Sequence, residues 1–373
     1  MPKPQQPQPR GTLPRSHDKE MARKASKNKN NDSRTTPAQT PATSDAHSTR
    51  EQQTLLNIFS DAFANVLSSE RFPTLLQEIK QALYNRDFGT AFSSAEYLEA
   101  YAARWSPTRA LCYASIFSTL QEHIDKLVSD AATDEYENAA RPPANEAYEA
   151  HPKARLRMLC VGGCAAEHVA LASFLARTKL AGTLTLLDAA PWKHVTSTLQ
   201  TQLTTAPPLS KYASAAAKTV NKPLVDQSQL ESVFTHANVL SLGPDALSQQ
   251  VGSVPSVVTL MFTLNELYTE GGVGKTTKFL RNLGQVLPHK SLLLVVDSPG
   301  SYSEAAVGKD RKRYPMQWLL NHTLLESETP GSSWEKLESE DSLWFRLPEG
   351  LSYPIPLENM RYQMHLYRIV KPT

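Results

Sequence analysis

The chain has 373 residues, with 39 Lys and Arg against 37 Asp and Glu and a formal net charge of +2. That length suits one α/β domain with additions, and the near balance of charge places no global demand for a nucleic-acid partner. No apolar run approaches the ~20 residues that span a bilayer, and the first residues lack the apolar core of a secretory signal. Cys112, Cys160 and Cys164 form neither a disulfide framework nor a CxxC metal pair, which suits a reducing compartment.

Charge is uneven along the chain. Residues 1–50 carry ten Lys and Arg against four Asp and Glu, among Pro, Gln, Ser, Thr and Asn. Such a stretch buries too little apolar surface to offset the entropy of ordering, so a disordered basic tail is expected. Its cluster Arg23–Lys29 reads as a nuclear-localisation signal, a weak nucleic-acid arm or a solvated tail. Residues 51–130 read as a helical subdomain. Leu55, Ile58, Phe59, Ala62, Phe63 and Val66 recur at helical steps, and Pro73 opens a second helix through Leu76, Ile79 and Leu83. A third helix covers Ala95–Trp105, after which Ser106 and Pro107 read as the cap and first turn of a fourth. Residues 131–154, acidic with Pro142-Pro143, read as a linker.

From Leu156 the character changes. Short apolar runs at 156–161, 183–187, 233–240, 257–262 and 292–296 alternate with helical stretches. Strands covered on both faces by helices make a mainly parallel sheet. Two further strands, at 343–347 and 362–369, have no helix between them. The expected fold is therefore α/β and Rossmann-like: a doubly wound, mainly parallel sheet with a terminal antiparallel pair over residues 155–373, behind the helical subdomain.

Ligands of such sheets bind beyond the carboxyl ends of the strands. The first strand ends in Gly162-Gly163, where the backbone can approach a ligand. The second ends in Asp188, 26 positions after Gly162, a station at which a carboxylate can accept both hydroxyls of a ribose. This pairing fits nicotinamide cofactors and S-adenosylmethionine alike. The loop lacks the GxGxxG fingerprint that phosphates require, which tilts the reading to S-adenosylmethionine.

Longer runs carry a resemblance. Tyr97, Tyr101 and Arg104-Trp105-Ser106-Pro107-Thr108-Arg109-Ala110-Leu111 are followed by Val161-Gly162-Gly163 with Glu167, Asp188-Ala189-Ala190-Pro191-Trp192 and Pro208–Ala213. Phe262–Leu267, Asp297–Glu304 and Tyr314–Leu320 complete a collinear set. From about residue 55 to its end the chain resembles the fungal 25S ribosomal RNA (uridine-N3)-methyltransferases, class I enzymes that use S-adenosylmethionine. The resemblance implies methyl transfer to a uridine ring nitrogen, with large-subunit rRNA or a preribosome as partner; the nucleus or nucleolus is the expected location, with the cytoplasm as the alternative. Cys164 and Ala166 depart from the glycines usual in class I cofactor loops.

Residues can then be given candidate roles. Glu167 orients the cofactor loop or favours the positive helix end. Trp192 packs on adenine or in the core, and Asn238 meets the adenine edge or makes a turn. Asn265 and Glu266 end the fourth strand, where groups touch the target base. Glu266 is the candidate general base if burial raises its pKa, with a helix cap as the plain alternative. Lys309, Arg311, Lys312, Arg313 and Tyr314 suit phosphates and a stacked base, and Arg104 and Arg109 form a second candidate RNA contact. No cysteine follows Cys164, so carbon-5 methylation lacks its nucleophile. The run Gly271–Thr277 has Thr269 where a P-loop needs its first glycine and reads as a loop before a helix over 277–286. His194, His236 and His365 lack metal-ligand spacing, and no metal is expected. Two other classes stand beside the enzyme: a methyltransferase-fold assembly factor without turnover, and a nicotinamide-dependent oxidoreductase.

Overall fold

A computed structural model describes residues 48–138, 155–300, 302–307, 310–327 and 331–372. The basic tail up to residue 47, linker residues 139–154 and Lys309 lie outside the described residues, while residues 131–138, expected in the linker, are helical. Residues Asp45–Thr373 form one unit. It begins with α1 (Thr49–Ala62), α2 (Ala64–Leu67), α3 (Phe72–Tyr84), α4 (Phe88–Ala91), α5 (Ala95–Thr119) and α6 (Gln121–Asn138). The start of α1 follows local chemistry: Ser48 and Glu51 satisfy each other's backbone N–H in a capping box.

The second half runs β1 (Arg155–Val161), α7 (Ala166–Thr178), β2 (Ala181–Asp188), α8 (Lys193–Thr204), α9 (Ala215–Val220), β3 (Leu230–His236), α10 (Pro244–Val251), β4 (Val257–Met261), α11 (Leu264–Val286) and β5 (Leu292–Asp297). It closes with β6 (Tyr302–Val307), β7 (Asp310–Pro315), α12 (Met316–Asn321), β8 (Ser333–Phe345) and β9 (Met360–Val370). The main sheet has the order β3-β2-β1-β4-β5-β9-β8. Strands β1 to β5 pair in parallel, while β9 runs antiparallel to both β5 and β8. Two apolar clusters cover its faces. Leu156, Met158 and Cys160 of β1 join the helices α1, α3, α5 and α7, whereas Leu159 and Val161 join α10, α11 and α12. The alternation along β1 places one side chain in each cluster in turn.

Four further expectations about elements are corrected. No helix opens at Ser106–Pro107; both lie inside the 25-residue α5. Proline has no N–H to give the carbonyl four residues back, and Tyr353 Oη donates to Ala103 O at 2.7 Å instead. Strand β3 ends at His236, and Val239–Ser241 is a 3-10 turn. The expected loop over 271–277 is helical apart from Gly272, whose φ of 66° kinks α11. Strand β8 begins ten residues before the expected 343, at Ser333. Most of its residues up to Ser342 are polar or charged and exposed at the sheet edge, so no apolar run announces its start.

Candidate cofactor and active site

The chain leaves β1 through Gly162 and Gly163, with φ of 68° and 91°, a region costly for any residue with a Cβ. At Gly162 space forbids a side chain as well, since a Cβ would lie 2.2 Å from Thr263 Cγ2. Thr263 donates its hydroxyl to Gly162 O at 2.9 Å. That bond pins the loops after β1 and β4 together where the strand order reverses. Asp188, at the end of β2, accepts the Gly163 N–H on Oδ2 at 2.8 Å and the Ala190 N–H on Oδ1 at 2.7 Å. Trp192 is a third donor to this carboxylate, so of its roughly four lone-pair sites about one remains for a ligand. Burial raises the Asp188 carboxyl, opposed by hydrogen bonds from Ala190, Gly163 and Trp192.

Between these loops lies a cleft of about 280 Å³, lined by Gly162, Leu187, Asp188, Pro191, Asn238, Val239 and Glu266. Phe88, Gly89, Phe92 and Ser93 from α4 and its C-terminal side complete the wall. The volume is at the lower end of the ~300–1,000 Å³ common for small-molecule sites. On the other side of Gly162 lies a recess of about 50 Å³, lined by Tyr101, Arg109, Gly163, Glu167, Trp192, Phe262 and Glu266.

The recess is electrically unusual. Burial pushes the Glu167 carboxyl up to about 7 and that of Glu266 up to about 8, with the Arg109 charge opposing both shifts. Asp188, Asp297 and Glu270 add to the rise at Glu266. A Cβ on Gly163 would lie 2.9 Å from Glu167 Oε1, so the Glu167 carboxyl sits directly under the glycine turn. Phe262, which follows β4, has φ of 60°. A left-handed conformation costs a bulky residue about 1–2 kcal/mol, and its N–H is held by Val296 O at 2.7 Å.

Of the residues singled out in the sequence, Gly162, Gly163, Glu167, Asp188, Trp192, Asn238, Arg109 and Glu266 meet at this cleft and recess. Trp192 is 3% exposed and packs edge-on to Tyr101 at 6.0 Å, so most of its indole belongs to the core. Asn238 Oδ1 accepts the Leu240 N–H at 2.9 Å and caps the 3-10 turn. Asn265 stands aside from the cleft; its backbone N–H donates to Asp297 Oδ2 at 3.2 Å. Arg104 is tied to Glu358 at 2.7 Å. Arg311, Lys312 and Arg313 lie in β7, paired with β6, which runs beside α11. Tyr314 stacks on Trp318 at 5.3 Å, and Trp318 on His322 at 5.1 Å. His194 pairs with Glu99, His236 Nε2 lies 2.8 Å from Ala189 O, and buried His365 is pushed down to about 4. Among the described residues no cluster of three His, Cys, Asp or Glu could hold a metal.

Sequence reasoning missed Phe88, Phe92, Thr263 and Phe262 as wall residues. The Asp87 cap of α4, whose side chain accepts the Thr90 N–H at 3.0 Å, was the available signal for the first two. The left-handed Phe262 has none, because bulky residues are not expected there.

Sheet order, crevice and the glycine–carboxylate pair define an α/β protein that binds a nucleoside cofactor at its switch point. Residues 59–368 match the family described as "Putative SAM-dependent methyltransferase", and the chain belongs to that family. It is 32% identical over 342 residues, 86% of each chain, to the 25S rRNA (uridine(2843)-N(3))-methyltransferase of Saccharomyces cerevisiae. Two solved structures also align with it. The 16S rRNA (adenine(1408)-N(1))-methyltransferase from Catenulisporales acidiphilia has a TM-score of 0.33 at 14% identity, covering 58% of this chain and 88% of its own. A SAM-dependent methyltransferase from Methanosarcina mazei has a TM-score of 0.32 at 10% identity, covering 58% and 93%. The cofactor is thus S-adenosylmethionine, and the residues fit it: a glycine cradle, a carboxylate with acceptor capacity to spare, and apolar walls for an adenine.

Proposed function

We propose that this chain methylates N3 of a uridine in large-subunit rRNA, presented free or within a preribosome in the nucleus or nucleolus. The observation that carries this reading is the 32% identity, across 86% of both chains, to a yeast enzyme named for that reaction. S-adenosylmethionine supplies an electrophilic methyl group on a positively charged sulfur. Asp188 and the Gly162–Gly163 turn hold the adenosyl part, and the apolar walls of the cleft exclude water. Uridine N3 carries a proton, so its lone pair is freed only as that proton leaves. Glu266 opens into both cleft and recess and, raised to about 8 by burial, is a stronger base than an ordinary carboxylate. Its ionised form would take the N3 proton as N3 gains the methyl group that the cofactor supplies, leaving Glu266 protonated. Asn265 positions this helix start through Asp297. The basic strand β7, with Tyr314 at its end, supplies the phosphate and base contacts that bring RNA to the cleft.

Mass spectrometry of large-subunit rRNA nucleosides, from cells with and without the protein, tests the reading. Loss of 3-methyluridine on removal, restored by the intact chain, is the expected outcome. Unchanged 3-methyluridine together with retained RNA binding would instead select an assembly factor without turnover.

A further inference from the structure

We infer that Arg109, from α5 outside the sheet, is the anchor for the α-carboxylate of the cofactor's amino-acid tail, and so a binding residue for S-adenosylmethionine. This rests on the cofactor assignment and on Asp188 holding the ribose. With the adenosyl part in the larger cleft, the recess of about 50 Å³ lies next to it, sharing Gly162, Asp188, Thr263 and Glu266 as walls. A water needs roughly 10–15 Å³ of such space, so the recess takes a small polar head group and not a pyrimidine ring. The tail that must enter it is a zwitterion, and its carboxylate requires donors.

Arg109 is the one basic side chain among the described residues lining the recess, where Glu167, Asp188 and Glu266 are acidic. Its guanidinium is held in place by aromatic faces, 4.6 Å from the Phe262 ring centroid and 5.5 Å from that of Tyr101. It donates from Nη1 to Tyr101 Oη. Glu167 and Glu266 feel its charge, yet no carboxylate among the described residues forms an ion pair with it. A guanidinium has five N–H donors in a planar fork that matches a carboxylate, so most of its capacity remains for the recess. The strained φ of Phe262 fits the same purpose, because it turns the ring that supports the guanidinium. Glu167, under the glycine turn, is the matching acceptor for the α-ammonium group. The carboxylate of the cofactor would make Arg109 a cofactor contact rather than an RNA contact.

Calorimetry with the full chain tests this using two ligands that differ by one group: S-adenosylhomocysteine and its decarboxylated form, S-adenosyl-3-thiopropylamine. Wild type should bind the first about 10- to 100-fold more tightly, the range of one charge-assisted pair. Arg109→Met should erase that ratio while leaving affinity for the amine within about threefold, which also reports that the variant is folded. Arg109→Gln serves where the Met variant does not fold, with the same expected loss of the ratio. A ratio that survives in the variants, or is absent in wild type, overturns the assignment. So does an unchanged ratio with weakened RNA binding, which returns Arg109 to the RNA. Wild type that binds neither ligand overturns the adenosyl placement as well.

Discussion

At Glu266 burial and a nearby cation act in opposite directions, and burial wins: the carboxyl rises to about 8 despite Arg109. The unliganded site is therefore mostly protonated at neutral pH and becomes a base only above it. A positive sulfur bound close to this carboxyl would lower that value, since an opposite charge favours the ionised form. Methyl transfer should rise with pH through this titration. Glu266→Gln should reduce kcat about 10²- to 10⁴-fold, the usual worth of general base catalysis, and remove the alkaline rise in kcat/KM. Affinity for S-adenosylhomocysteine should change little. A variant that keeps the wild-type pH profile would remove Glu266 from the proton transfer. The residue was visible in the sequence because it follows an apolar strand. Its pKa was not, because it is set by burial and by Arg109, Asp188 and Asp297, which arrive from distant parts of the chain.

At the scale of elements, α5 is the feature that local rules misjudge. Pro107 orphans the Ala103 carbonyl within a helix of 25 residues, and a helix break would be the cheaper local solution. The helix continues because Tyr353, 250 positions along the chain, donates to that carbonyl. Tyr353→Phe should therefore cost about 1–3 kcal/mol in denaturant melts, the penalty for a buried acceptor left unpaired. In a Pro107→Ala background the new N–H can serve Ala103 O, and the same substitution should cost distinctly less. Equal costs in the two backgrounds would mean that the tyrosine acts through packing alone. The kink at Gly272 has a similar character. Glycine there was legible, but a kinked helix and a loop are the same sequence until Thr276 Oγ1 donates to Leu267 O across the bend.

Across the whole molecule, the segment between β8 and β9 straps the N-terminal helices to the sheet. Gln53 exchanges two hydrogen bonds with the Ser352 backbone, at 2.9 and 2.8 Å, and Arg104 pairs with Glu358. The strap thereby holds α1 and α5, and α5 carries Tyr101 and Arg109 into the wall of the recess. It also sets the burial behind the site's pKa shifts, and these are stability statements. Glu167 and Glu266 hold protons up to about 7 and 8 in the folded chain, which the unfolded chain releases near 4.5. Folded-state stability from them is complete below 4.5 and is lost as pH rises through 7 to 8. His168 and His365, both pushed down to about 4 by burial, act oppositely: their contribution is present above 6.5 and lost as pH falls toward 4. Between pH 6.5 and 8 the carboxyls dominate, so thermal melts should show falling stability in that window. The Glu167→Gln, Glu266→Gln double variant should show a flatter course. An equally steep decline in that variant would place the titration elsewhere.

The sequence by itself determined the α/β layering, the parallel strands, the antiparallel finish and the stations of Gly162, Gly163, Asp188 and Glu266. These follow from short-range patterning: apolar runs that stop at glycine or an acid mark strand ends, and strand ends are where ligands of such sheets bind. Tertiary structure decided the continuity of α5, the edge strand β8, the aromatic wall from α4 and the placing of Arg109 inside the recess. Each depends on partners far away in the chain, such as Tyr353 for Ala103 and Phe262 for Arg109. Local propensity carries no record of a partner that only the folded chain brings near.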